Sequence, residues 1–532
     1  MINSSKLRHA LIAILTFACG SAAAQTGLSD PMTKAMMEVY EQELTANPQA
    51  YEIYFRRANE YYKFDQYLRA LSDIDNALKY APADDTDMRF QCYSLRGDIY
   101  QMLGKHEEAL SDFTEALRID PTSFMALYQK GNSEYELGRY AEAKGSYNRM
   151  RALDGRSAEA LTGLARIAVK ENNLGLASQY MDDAVAMMPT DSDIYVRRSS
   201  VRRMLGNNTG AVEDLIMAIS IDSNAKAFQE LINVSNTDYP AVITALSNAI
   251  HQAPEQGMFY YIRGVIAQAH NHFPSAIVDY RKIIDENMYN YAGIYASLGE
   301  CYYALCDFDQ ALENVNQAIG MSNDNGEYFI ALARVYRAQG RFDDAMRAIE
   351  TAIEKVNEPA TAISEKGRIL FSQKKYDEAS DIFAELAMDN PNDPMNYMLR
   401  AWVIAEGQKK SNAALPIYRR ALEIDVNPEL PQSLHGFALL FSGSTAEAVK
   451  WADSIMHDTK DTDGSISYLM ACLYAQAEET DKAFDALESA LNKGYSNKYQ
   501  FTIYDDARIN LAPIRKDARF NTTLANYSYI FE

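Results

Sequence analysis

The chain has 532 residues, 48% of them hydrophobic and 23% charged, which excludes an intrinsically disordered protein. Its formal charge of −22 disfavours nucleic acid and anionic membrane surfaces as general partners. After residue 24, no apolar run approaches the roughly 18 residues of a membrane-spanning helix.

In chain order, residues 1–24 read as a signal peptide. Lys6 and Arg8 supply the positive start, Leu11 to Ala18 the short apolar core, and Ala22-Ala23-Ala24 the small residues of a cleavage site. The chain is therefore expected to be exported, to a periplasmic or cell-surface location. Lipid anchoring at Cys19 is the competing reading, but the bulky Phe17 makes a poor lipobox. Residues 25–50 form a lead-in with one capping helix: Met36, Val39, Tyr40 and Glu43 share a helical face, and Pro48 closes it.

From there one alanine recurs in similar surroundings: Ala70, Ala109, Ala143, Ala177, Ala211, Ala276, Ala311, Ala345, Ala379, Ala414, Ala448 and Ala483. Most steps are 34 or 35 residues. The step from Ala70 is lengthened by the acidic loop at Asp84-Asp85-Thr86-Asp87, and the step from Ala211 hides a degenerate unit near Val242. Ala109, Phe113, Ala116 and Leu117 follow i, i+4, i+7, i+8, which is one face of a helix. Gly97 and Ala109 permit close helix approach, while Tyr100 and Phe113 fill the gaps. Leu103-Gly104-Lys105 makes a short turn, and Asp120-Pro121 stops the second helix.

These anchors resemble the tetratricopeptide repeat family, whose pattern runs W-x₂-L-G-x₂-Y…A-x₃-F…P. Residues 90–123 match most clearly, through Tyr93, Arg96-Gly97, Tyr100, Ala109, Phe113, Ala116 and Pro121. Residues 51–84 and 292–325 repeat the match. The resemblance implies an all-α helical-hairpin solenoid, a right-handed superhelix of about 13 repeats, non-enzymatic and without cofactor. It divides the chain into a first array at 51–225, a degenerate repeat or joint at 226–256 and a second array at 257–495. A cap follows at 496–532, where Leu511-Ala512-Pro513-Ile514-Arg515 and Phe520 resemble a closing segment of the family. The extra residue near Gln408-Lys409-Lys410 is expected in an inter-helix turn.

In the family the first helices of successive repeats line a concave groove. Carried over, that groove includes Phe55, Asn59, Tyr62, Asp98, Tyr128, Asn132 and Tyr135, then Arg166, Lys170, Arg197 and Arg203. Further along come Tyr261, Tyr303, Arg334, Arg337, Arg368 and Phe371. One subclass clamps a partner's C-terminal carboxylate with Lys and Asn, but Asp98 between Asn59 and Asn132 would repel it. The two arginine clusters suit an acidic protein or peptide segment.

No phosphate loop, H-E-x-x-H, paired C-x-x-C or G-x-S-x-G is present, so no catalytic, cofactor or metal residues are assigned. His270 and His272 are expected in an exposed polar turn. Cys301 and Cys306 are too far apart to bridge within one helix, and a bridge requires Cys306 to have left it. The functional expectation is an envelope scaffold that binds protein or peptide segments. The alternatives are a structural homo-oligomer and a peptide- or glycan-handling protein.

Overall fold

The computed structural model describes residues 31–153, 157–222, 224–424, 429–431, 433–504 and 506–532. The expected signal peptide, residues 1–24, and Cys19 lie outside the described residues. Among those residues there are 28 α-helices and no strand. They fall into two compact units, residues 31–230 and residues 231–532.

The repeat's small and large positions become a packing rule. Four hairpins set a glycine on the first helix against a large ring 16 residues later on the second. A Cβ on Gly97 would lie 2.7 Å from the Phe113 ring, and one on Gly131 would lie 2.6 Å from Tyr147. Gly264 with Tyr280 and Gly367 with Phe383 repeat the arrangement. Contacts this close exclude any side chain at the glycine and bury the ring fully.

In the first unit, Pro31–Ala46 precedes five hairpins. They are Tyr51–Lys63 with Tyr67–Tyr80, Thr86–Met102 with His106–Ile119, Phe124–Glu136 with Tyr140–Leu153, Ala158–Lys170 with Leu174–Met187, and Ser192–Met204 with Asn208–Asp222. The turn inside each hairpin places one residue in the left-handed region: Asp65, Gly104, Gly138, Asn172 and Gly206. Asp85, Ser123, Ser157 and Asp191 cap first helices by accepting backbone N–H bonds.

The second unit opens within a helical run, Ala225–Gln252, that breaks at Asp238 (φ −149°) just before Pro240. Asp238 accepts the Ala241 N–H, so it caps the helix that follows, which holds Pro240 in its first turn. This stretch is short because its inter-helix turn has shrunk to that break. Seven hairpins follow: Gly257–Ala269 with Phe273–Asp285, Ala292–Ala304 with Phe308–Met321, Gly326–Ala338 with Phe342–Lys355, Ala360–Ser372 with Tyr376–Asp389, Pro394–Trp402 with Ser411–Ile424, His435–Phe441 with Thr445–Asp458, and Ser465–Gln476 with Thr480–Asn492. The extra residue near Gln408 is not accommodated in the turn alone. A π-helical turn, Val403–Gly407, absorbs it before the chain leaves the helix.

After the last hairpin the period ends. Phe501, Leu511, Ile514 and Phe520 are buried in the same apolar cluster as Leu473 and Leu487 of that hairpin. Arg515 fastens the segment by donating to the carbonyls of Phe501 (2.8 Å) and Tyr504 (2.7 Å). Cys92, Cys301, Cys306 and Cys472 are free thiols, and Cys306 sits in the turn beyond the Ala292–Ala304 helix.

Candidate functional site

First helices of neighbouring hairpins approach one another more closely than second helices do, in both units. A stack that is tighter along its first helices curves toward them. Those helices therefore line the inner side, and the side chains there form the candidate site.

In the first unit this inner side carries a polar ladder across three helices. Gln129 donates to Asp98 at 2.9 Å, and Gln101 donates to the Gln129 carbonyl and to Ser133, both at 2.8 Å. Asn132 donates to Gln129 Oε1 at 3.0 Å and accepts from Tyr147 at 2.8 Å and Arg166 at 3.3 Å. Burial pushes the Asp98 carboxyl up to about 6, against the opposing pull of Gln129. Arg166 lies over the Tyr135 ring at 4.1 Å and pairs with Glu136 at 2.9 Å. With both ends of its amide engaged, Asn132 has little left for a carboxylate clamp.

Phe55, Asn59 and Tyr62 are half-buried on the preceding first helix, Tyr51–Lys63, and Tyr128 is half-buried on Phe124–Glu136, its ring leaning on Tyr147. At the other end of the ladder, Lys170 and Arg197 are exposed and have no ion-pair or hydrogen-bond partner among the described residues. Arg203, also exposed, pairs with Glu230 at 2.9 Å. The neighbouring Arg198 and Arg202 are tied to Asp214 and Asp182 and belong to the hairpin's own framework.

The inner side of the second unit is occupied by its own chain. Residues 496–504 and 506–508 lie across it as a strap. The Tyr499 ring packs against Tyr303 at 4.6 Å and Phe308 at 6.5 Å. The Asp506 carboxylate lies 3.0 Å from Arg368 and 3.6 Å from Arg337. Glu365, only 3% exposed, completes the network with Arg337 at 2.7 Å and Arg334 at 3.6 Å. Burial raises the Glu365 pKa, but Arg337, Arg334 and Arg368 outweigh it and hold the carboxyl down at about 2. Phe371 is stacked on Trp402 at 3.8 Å, and Tyr261 is buried in the core beside Tyr280. Tyr303, Arg334, Arg337 and Arg368 thus come together, but around Glu365 and the strap. A chamber of about 700 Å³ remains between the strap and the helices, with Glu300, Asn396 and Gln500 also on its wall.

Family models described as tetratricopeptide repeat match residues 90–123, 128–192, 307–362 and 336–403. The chain is a tetratricopeptide repeat protein. A TPR repeat-containing protein of Methanocaldococcus jannaschii is 23% identical over 314 residues, 54% of this chain and 53% of that protein. Tetratricopeptide repeat protein 37 of Xenopus laevis is 27% identical over 139 residues, 26% of this chain and 8% of that protein. The chain therefore spans about half of one relative and a small part of the other. Among solved structures, yeast Tom70 is similar at 15% identity and TM-score 0.35, over 77% of this chain and 99% of its own. YrrB, a TPR protein with an unusual peptide-binding site, is similar at 21% identity and TM-score 0.28, over 36% and 96%.

The matched stretches all lie within the hairpin array. Among its described residues, no group of three or more His, Cys, Asp or Glu is placed to hold a metal ion, and no helix is long and apolar enough to cross a membrane. Sequence reasoning missed the strap. It also missed the arginine–aspartate clasps of Arg57 on Asp73, Arg96 on Asp112, Arg198 on Asp214 and Arg263 on Asp279. Their signal was present, because each pair is separated by 16 residues.

Proposed function

We propose that this protein is a non-catalytic scaffold of the cell envelope whose first unit binds an acidic protein or peptide segment along the inner side of its first helices. The observation that carries the reading is a contrast between two basic clusters. In the second unit the arginines are spent on Glu365 and Asp506. In the first unit Lys170 and Arg197 stand exposed beside a ladder of amides and tyrosines. Such a surface offers charge-assisted hydrogen bonds to carboxylates, cation–π contacts to aromatic side chains, and amide groups to a peptide backbone. The envelope location rests on the features of residues 1–24.

The test is fluorescence anisotropy with Asp/Glu-rich peptides carrying spaced tyrosines, on the purified full chain. Lys170→Glu with Arg197→Glu should weaken binding at least tenfold, and rising salt should weaken it in the wild type. Neither side chain holds the fold together, so the variant should keep its helical signal. Equal affinity of variant and wild type, or no binding by either, would overturn the proposal. Fractionation that finds the chain in the cytoplasm would remove its envelope part.

A further inference from the structure

The turn His270-Asn271-His272, within the second unit, is where the strap is fastened. The Asn271 carbonyl accepts from Ser496 N at 2.9 Å and from Ser496 Oγ at 2.7 Å. Ser496 Oγ in turn accepts the Phe273 N–H at 3.0 Å. Gly494 passes so close to the His272 ring that a Cβ there would lie 2.6 Å from it. The turn is not an exposed polar loop: His270 is only 2% exposed.

The hydrogen bonds around His270 determine its protons. Nδ1 lies 2.6 Å from Asp463 Oδ2, and Nε2 lies 2.9 Å from Ser235 Oγ. The Ser235 hydroxyl has one hydrogen, which it donates to the Ile232 carbonyl at 2.7 Å. Ser235 must therefore accept from His270, so Nε2 carries a hydrogen. An ionised carboxylate only accepts, so Nδ1 carries one too. The other Asp463 oxygen already accepts from Ser465 N (2.9 Å) and Ser465 Oγ (2.6 Å). Ring and carboxylate are thus an imidazolium–carboxylate pair joining residues 193 apart in sequence.

We propose that the His270–Asp463 pair is a proton-dependent clasp, which keeps the strap on the inner side of the second unit only while His270 is doubly protonated and Asp463 ionised. The neighbouring titratable groups are committed elsewhere. His272 is stacked on Tyr239 at 4.6 Å, and burial followed by the charge of His270 pushes it down to about 4, so it stays neutral. Tyr239, 4.8 Å from the His270 ring, is pushed up by burial and stays protonated. Nearby, Arg263 is paired with Asp279, and Lys493 with Asp461. Burial raises the Asp463 pKa, but its bonds from His270 and Ser465 outweigh this and lower it overall. Its contribution is therefore present above the ordinary carboxylate range and is lost as pH falls through its lowered value.

The test is hydrogen–deuterium exchange of residues 494–504 in the full chain, expressed as protection relative to the unstructured rate, across pH 4 to 9. The wild type should show maximal protection in the middle of that range and loss at both ends. His270→Gln and Asp463→Asn should each lower strap protection at least tenfold at the optimum, while the Phe342–Lys355 helix stays protected. Nitrogen NMR of the wild-type imidazoles supplies a reading that needs no variant. It should find both His270 nitrogens protonated wherever the strap is protected. A singly protonated His270 under those conditions, or undiminished strap protection in both variants, would overturn the clasp.

Discussion

Gly131 shows how much of this fold is decided by a single missing side chain. Its Cα faces the Tyr147 ring, and the same ring is pressed from the other side by Gly163, where a Cβ would also lie 2.6 Å away. Tyr147 cannot retreat, so Gly131→Ala overpacks the hairpin. The expected loss is about 1–3 kcal/mol in urea unfolding. Gly145 lies exposed in the interior of the Tyr140–Leu153 helix, where an added methyl would meet nothing within 4 Å. There Gly145→Ala should instead stabilise, by about 1 kcal/mol. Opposite signs for two Gly-to-Ala changes in one repeat would separate packing from helix propensity. The small–large alternation at Gly97 and Phe113 was legible because it repeats in phase. The adjoining clasps repeat too, as Arg96-Gly97 against Asp112-Phe113 and Arg263-Gly264 against Asp279-Tyr280. They escaped notice because charged residues on a helix look like solvated ones until their partner is placed.

At the scale of the element, the hairpin turn demands a left-handed residue whatever the side chain. Gly340 and Gly443 supply it in the second unit, but Asn271, Cys306, Lys374, Lys409 and Glu478 adopt the same conformation. A residue with a Cβ held there costs about 1–2 kcal/mol. Lys374 sits at φ +64°, and its exposed ammonium makes no ion pair or hydrogen bond with the described residues. Lys374→Gly should therefore stabilise the chain by about 1 kcal/mol in thermal or urea unfolding. No change, or a loss, would show that backbone freedom in the unfolded chain offsets the relief. Turn positions were readable from sequence because the period fixes them. The contents of the His270–His272 turn were not. Polar residues between two helices suggest exposure, and nothing local reveals that Asp463 and Ser496 cover them. The π-turn at Val403–Gly407 was half-legible: the extra residue could be counted, but not the helix turn that absorbed it.

Across the whole molecule, the two units put the same inner-side positions to different uses. Helical phase was enough to assign Tyr303, Arg334, Arg337 and Arg368 to first helices. What covers them was not readable, because the strap has no period and its contacts reach back from Tyr499 to Tyr303 and from Asp506 to Arg337. Consecutive left-handed residues, Ala507 and Arg508, bend the strap just after Asp506, and Arg508 is held over the Phe441 ring at 4.7 Å. The centre of this arrangement is Glu365, buried among three arginines. Glu365→Gln leaves Asp506 as the remaining carboxylate in direct contact with Arg337 and Arg368, and leaves Arg334 without its nearest one. Breaking a buried pair from one side costs about 3–5 kcal/mol, so this variant should unfold at markedly lower urea. The pH dependence follows from the lowered pKa. A carboxyl held at about 2 contributes stability that is complete above its ordinary range and is lost as pH falls toward 2. The wild type should therefore lose more stability than Glu365→Gln over that acid interval, and the two unfolding midpoints should converge. Parallel curves would mean that Glu365 shapes the second unit by packing and hydrogen bonding rather than by its charge.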